Sequence, residues 1–175
     1  MPDATFLEGD SVRLSPVEEG DRPFLVDLRN HPDVRRSTSG DVPRNRRSQE
    51  PWFESLGESD SVVSLARVDG ERVGLVSLDG GVEPWGRAEV GYTAAPDHWG
   101  NRYVTEAVEL LVDYAFRERR LNKVAARTYA TNAASERVLE KAGVEREATL
   151  EREAFVEGAY VDVDCWRRFA DEKRE

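Results

Sequence analysis

A mixed α/β domain (α+β in its segregation) around one central, mostly antiparallel sheet is the fold class this 175-residue sequence predicts. Three observations carry the expectation. Two alternating stretches, 61–68 and 72–78, flank Asp69-Gly70, a short-range hairpin signal. A long amphipathic stretch from Thr105 to Arg117 places Val104, Ala107, Val108, Leu111, Val112 and Ala115 on one helical face. Two strand-like runs close the chain, 144–155 and 160–169, joined at Glu157-Gly158, and so short a connection makes them antiparallel.

The remaining elements follow in order. Ser11-Val12-Arg13-Leu14-Ser15 alternates and reads as a first strand, which Pro16 ends. Phe24, Leu25 and Leu28 have the three-and-four spacing of a helix. Asn30-His31-Pro32-Asp33 reads as a turn, with His31 as a capping or loop residue. A short second helix spans 49–56, with Trp52, Phe53 and Leu56 as its buried face. Gly80-Gly81 and Pro84 make a turn, and 87–95 is a fourth strand broken by Pro96. The fifth strand is 123–131, and the helix from Ser135 to Lys141 ends at Gly143 as a C-cap. No repeat or linker divides the chain, so residues 1–175 form one domain.

Composition excludes several functions. Thirty-five acidic residues against 25 basic ones leave a net charge of -10, without the basic footprint nucleic-acid binding needs. The Arg44, Arg46, Arg47 cluster reads as a solvated loop or a phosphate contact. No apolar run approaches membrane-spanning length, and Met1 to Phe6 lacks a secretory pattern. Cys165 stands alone, which excludes an internal disulfide and a cysteine zinc site; it reads as a small core residue. No metal is expected. A cytoplasmic location follows. Lysine occurs only at 123, 141 and 173 and isoleucine is absent, as in a GC-rich genome. With the acidic excess, the expectation is a halophilic-type surface, tested by stability with and without molar salt.

The chemistry concentrates between Glu89 and Glu106. A strand ends at Gly91-Tyr92-Thr93-Ala94, a turn follows, and a long helix begins after Trp99-Gly100-Asn101-Arg102-Tyr103-Val104-Thr105. A helix start leaves backbone N–H groups unpaired and favours an anion, so this is either a pyrophosphate cradle or an ordinary capped turn.

This stretch resembles motif A of the GNAT acetyltransferases, Gln/Arg-x-x-Gly-x-Gly/Ala. It is particularly similar to the RimJ/RimL form, Trp-Gly-x-Gly-Tyr-Ala-Thr-Glu-Ala. Arg102 replaces a glycine and Val104 an alanine, so both put bulk where a backbone should approach phosphate. Arg102 either pairs with a phosphate oxygen or points outward. Asn132-Ala133-Ala134-Ser135-Glu136-Arg137-Val138-Leu139-Glu140-Lys141-Ala142-Gly143-Val144 resembles motif B, although Asn132 and Ser135 are also good helix-capping residues. The resemblance runs through nearly the whole chain in order and spacing.

The resemblance implies a sheet splayed between its fourth and fifth strands, with acetyl-CoA in the gap as donor. It assigns the backbone of Gly91, Tyr92, Thr93 and Ala94, the turn from Trp99 to Thr105, and Asn132 and Ser135 to cofactor binding. It implies direct attack of an amine on the thioester. Glu89 is the candidate base, working through a water; the alternative is a solvated carboxylate beside Arg87. Ser135 is the candidate contact to the leaving thiolate, with Tyr129 and Tyr160 as alternatives. The oxyanion is expected to meet a backbone N–H at Tyr92, Thr93 or Ala94. The implied partners are acetyl-CoA and an amine, a peptide N-terminus or a small molecule, on a monomer or homodimer. The rivals are a CoA-binding protein without turnover and a Rossmann dehydrogenase; the glycine motif lacks the three-glycine spacing of the latter.

Overall fold

Two turns of identical stereochemistry set the hairpin registers in the computed structural model, which describes residues 4–38, 40–80 and 84–172. Asp69 and Gly70 take φ 49° and 84°, and Glu157 and Gly158 take φ 48° and 87°. Both central residues are left-handed in each case, the twist that continues a right-handed pair of strands. The first turn joins β3 (Val62–Val68) to β4 (Glu71–Gly80), and the second joins β7 (Glu145–Val156) to β8 (Ala159–Phe169). Met1–Asp3, Gly81 of the Gly80-Gly81 turn and Lys173 lie outside the described residues.

Eight strands form one sheet in the order β1-β2-β3-β4-β5-β6-β8-β7. Its other strands are β1 (Leu7–Glu8), β2 (Arg13–Pro16), β5 (Arg87–Ala94) and β6 (Lys123–Tyr129). Every pairing is antiparallel except β5 with β6. The two-residue β1 precedes the expected first strand, so the expected fourth and fifth strands are β5 and β6. Helices α1 (Arg22–Asn30), α2 (Pro32–Ser37) and α3 (Arg46–Glu54) follow β2, α4 (Tyr103–Arg117) connects β5 to β6, and α5 (Ala133–Lys141) follows β6.

Three local expectations are corrected. The turn at Pro32 is the start of α2, because proline suits a first helical turn and His31 Nδ1 accepts the Asp33 N–H at 3.2 Å. In α3 the buried side chain is Gln49, whereas Trp52, Phe53 and Leu56 are half-buried. Arg29 and Arg22 cover the Trp52 and Phe53 rings at 4.4 and 4.7 Å, so arginines complete a face the sequence suggested would meet the core. On α4, Thr105 is buried and Val104 half-buried, because Val104 turns toward the cleft described below.

The main core lies on one face of the sheet. Ala107, Val108, Leu111, Val112 and Ala115 of α4 pack with Val76 and Leu78 of β4, Ala88 and Val90 of β5, and Val124 and Ala126 of β6. Each fully buried aliphatic side chain contributes about 1.5–3 kcal/mol, which fixes α4 to the strands on both sides of the gap. Across the sheet, Leu25, Leu28 and Val34 are buried with α1 and α2. Asp21 anchors this layer. It is 1% exposed, and one oxygen accepts from Arg67 at 2.8 Å and Arg72 at 2.6 Å while the other accepts the Glu18 N–H at 2.9 Å. Burial alone raises its pKa, but the Glu18 N–H and the two arginines together hold it below the ordinary value. No helix among the described residues is long and apolar enough to cross a membrane.

Candidate active site

The parallel β5–β6 ladder is short. It runs from Arg87↔Lys123 through Ala88↔Val124 to Glu89↔Ala125. Beyond that rung, β5 stays with β4 up to Gly74↔Ala94, and β6 stays with β8 through Tyr129↔Val163. The strands therefore diverge, leaving a cleft of about 390 Å³ between β5, α4 and α5.

One edge of this cleft is bare backbone. Ala95 N–H donates to Val73 O at 2.9 Å, so the mutually bonded rungs of the β4–β5 ladder are the alternate ones, Leu75↔Thr93 and Ser77↔Gly91. The N–H and C=O of Tyr92 and Ala94 consequently point the other way, into the gap. The Ala94 carbonyl is taken by the Trp99 indole at 3.0 Å, which leaves the Tyr92 groups and the Ala94 N–H for a guest.

The second wall is the start of α4. Gly100 has φ +80°, and Arg102, at the N-cap, has φ 63° and ψ 7° with no side-chain cap. The first helical ladder bond is Glu106 N–H to Arg102 O at 3.0 Å, so the N–H groups of Tyr103, Val104 and Thr105 open the helix without i−4 partners. Glycine is strain-free in the left-handed conformation, and an L-residue there costs about 1–2 kcal/mol. Arg102 bears that cost and keeps its side chain exposed at the cleft. Glu106 secures the turn from behind: its Oε1 accepts the Ser11 and Val12 N–H groups at 2.8 and 3.0 Å.

The floor is polar. Tyr92 Oη lies 2.6 Å from Ser135 Oγ and 3.0 Å from Ser135 O. Burial pushes the Tyr92 phenol up to about 12, and its hydrogen bond to Ser135 offsets only part of this. The phenol is therefore protonated at neutral pH. When it donates to Ser135 Oγ, the serine proton is free to point into the cleft. Asn132 caps α5, its side-chain oxygen accepting the Ser135 N–H at 3.1 Å, and also lines the cleft.

Not every expected site residue is here. Tyr92, Thr93, Ala94, Trp99, Gly100, Arg102, Tyr103, Val104, Thr105, Asn132 and Ser135 line the cleft, and Gly91 and Asn101 do not. Gly91 directs its backbone at β4, and a Cβ there would lie 2.9 Å from Ser77 Oγ. The Asn101 amide turns back to the His98 and Trp99 carbonyls at 3.2 and 3.4 Å. Glu89 stands on the last paired rung, on the face opposite α4, where Arg127 Nε donates to its Oε1 at 3.0 Å. That bond raises the Arg127 pKa. Tyr129 lies outside the cleft lining, and Tyr160, 68% exposed, packs edge-on against Phe155 at the β7–β8 tip. Cys165 is half-buried on β8 opposite Arg127, outside the closed core expected for it. The sequence reading missed His98, Ser37 and two cations of the lining, Arg137 and Lys141. Their i, i+4 spacing on α5 was the available signal. Among the described residues no cluster of His, Cys, Asp or Glu is fit to hold a metal ion.

Residues 11–145 match the family described as Acetyltransferase (GNAT) domain. The chain is 34% identical over 156 residues to the uncharacterized protein YkkB of Bacillus subtilis (strain 168), covering 85% of this chain and 90% of that protein. It is 27% identical over 165 residues to the spermidine N(1)-acetyltransferase of Escherichia coli (strain K12), covering 86% and 81%. Its fold resembles the crystal structure of spermidine N-acetyltransferase from Vibrio cholerae in complex with CoA and spermine, with a TM-score of 0.84, 21% identity and coverage of 93% and 97%. A chain with this fold and this match belongs to the GNAT acetyltransferases and is an acyltransferase that uses acetyl-CoA as its donor.

Proposed function

We propose that the chain acetylates a primary amine, most suitably the α-amine of a peptide N-terminus, as in the RimJ/RimL type. One observation carries the reading: bare β5 backbone faces the uncapped start of α4 across a gap in the sheet. Such a gap suits an extended amide-bearing arm ending in a pyrophosphate. The residues present fit that donor. The N–H groups of Tyr103, Val104 and Thr105 would hold the pyrophosphate. Arg102, Arg137 and Lys141 add positive charge around it. Tyr92 and Ala94 would hydrogen-bond the arm. Bound acetyl-CoA supplies an activated thioester carbonyl.

The chain's own groups then have three tasks. The attacking amine must be neutral. Glu89 would accept its proton through a water, at the point where the strands part, with Arg127 holding the carboxylate in place. A peptide α-amine titrates near about 8 and a lysine side chain near about 10.4, so the former suits a site without a strong base. The Tyr92 or Ala94 N–H would meet charge developing on the carbonyl oxygen. As the new C–N bond forms and the C–S bond breaks, the proton the nitrogen sheds would pass through the Ser135 hydroxyl, oriented by the Tyr92 phenol, to the departing sulfur, so that the serine ends protonated as it began. A polyamine acceptor is the second reading, favoured by the identity to a spermidine acetyltransferase.

The test is a calorimetric titration with acetyl-CoA, with NADH as control, on the wild type and Gly100→Glu. At φ +80° glutamate is strained, and its charge opposes phosphate. Saturable acetyl-CoA binding weakened about a hundredfold or more by the substitution supports the reading. A folded protein that binds no acetyl-CoA sinks it.

A further inference from the structure

Two stretches that meet at one ion pair carry opposite charge. Residues 29–47 hold Arg29, Arg35, Arg36, Arg44, Arg46 and Arg47 against Asp33 and Asp41, a formal +4 in a chain of -10. Residues 145–165, mostly the β7–β8 arm, hold seven carboxylates against Arg146 and Arg152, a formal -5. The stretches meet where Arg36 Nε lies 3.1 Å from Glu157 Oε1. The basic one reaches the cleft, since Ser37 at the end of α2 lines it with Thr93 and Ala94.

Within the basic stretch most of the charge is uncompensated. Arg36 pairs with Asp33 and Glu157, whereas Arg29, Arg35, Arg44, Arg46 and Arg47 form no ion pair with a described residue. Arg35 Nε instead donates to Gly40 O at 3.0 Å and shapes the loop after α2. Arg29 is half-buried, stacked 4.4 Å over the Trp52 ring. Burial first, and then the positive charge of Arg44, lower its pKa. The Arg44 backbone is pinned by Asn30, whose amide nitrogen donates to Arg44 O at 2.6 Å and whose oxygen accepts the Arg44 N–H at 2.8 Å. Asn30 thus ties the Arg44 backbone to the end of α1 beside Arg29, whose guanidinium is partly withdrawn from water by its stack on Trp52. That arrangement is unfavourable until an anion joins it. A guanidinium pair is also the side-chain chemistry best matched to a planar carboxylate.

We infer that the amine acceptor carries a carboxylate, bound by Arg29 and Arg44, while its amine approaches along the acidic β7–β8 arm. This rests on the acetyltransferase reading above and deepens it. A polyamine, cationic at both ends, would meet Arg29, Arg35 and Arg44 with like charge.

The experiment compares acceptors of similar shape and different charge. Thiol release at saturating acetyl-CoA is measured with the C-terminal amides of Glu-Ala-Ala and Gln-Ala-Ala, with free glutamate and with spermidine. Binding of the same compounds is read from Trp52 emission, with W52F as the blank. The expected result is kcat/KM about tenfold or more higher for the Glu peptide than for the Gln peptide, collapsing toward parity in R44Q through KM. Free glutamate above the Glu peptide would assign the recognised group to a single amino acid, and the reverse order to a peptide. Equal rates for the two peptides, or spermidine as the best substrate, overturn the inference and leave the acetyltransferase reading intact. No turnover with any amine, alongside a Trp52 signal that separates Glu from Gln and fades in R44Q, would sink that reading and keep the anion site. No discrimination by either readout overturns the inference.

Discussion

The proposed donor cleft and the proposed acceptor surface of this molecule are built from different materials. On the donor side the contacts offered are largely backbone: the Tyr92 and Ala94 groups on β5 and the opening N–H groups of α4. On the proposed acceptor side they are side chains, with Arg36 of α2 against Glu157 of the β7–β8 turn. Backbone contacts tolerate substitution as long as the strand and helix stay in place. Side-chain contacts change with every residue. The comparison teaches that a single donor cleft can be retained while acceptor chemistry is rewritten in the helices and hairpin around it.

The largest test breaks the acceptor side as a layer. Asp21 is the buried carboxylate to which Arg67 of β3 and Arg72 of β4 both donate, beside the start of α1. Asp21→Asn removes the buried carboxylate that Arg67 and Arg72 share and should cost about 3–5 kcal/mol in urea unfolding. The pH dependence has a definite sign. Because the folded pKa of Asp21 lies below its ordinary value of 3.8, its stabilisation is complete above that value. It is lost as pH falls through the lower folded pKa. The wild type should therefore lose its advantage over the variant only in strong acid. An advantage that persists undiminished there would show that the carboxylate charge does not matter.

A smaller effect separates chemistry from donor binding. Tyr92→Phe removes the hydroxyl 2.6 Å from Ser135 Oγ while leaving the β5 backbone in place. We expect kcat to fall about tenfold, equivalent to about 1.4 kcal/mol in the barrier. Acetyl-CoA affinity, carried by backbone, should move less than kcat. Equal losses in both would mean that the hydroxyl holds α5 in place and takes no part in proton transfer.

The smallest concerns Arg102, whose side chain stands at the helix start that opens on the cleft. Arg102→Gly relieves a left-handed arginine and should raise stability by about 1 kcal/mol in thermal or urea unfolding. It also removes a cation from the cleft. Tighter acetyl-CoA binding in the variant would mark Arg102 as an obstruction, and weaker binding would mark it as a phosphate partner.

Much of the fold and of the cleft lining was legible from the chain. Asp69-Gly70 and Glu157-Gly158 named their hairpins because few residue pairs tolerate two consecutive left-handed conformations. The Trp99–Thr105 turn announced itself by its position between a strand and a strongly periodic helix. Gly91 and Asn101 were misplaced because sequence position does not say which way a backbone or an amide points; the β4 register and two carbonyls decided that. Arg137 and Lys141 were passed over because a cation on a helix face reads as solvated until another wall is brought opposite it.

The sequence by itself determined the order and type of the main elements, the hairpin turns and the acidic balance, because these depend on local periodicity, steric preference and composition. The tertiary structure decided where β5 and β6 part, that Glu89 is held by Arg127, and that the Arg44 backbone is tied to the end of α1 beside Arg29. Those outcomes join residues 14–38 positions apart in the chain. They arise from sheet register and helix packing, which no local pattern contains.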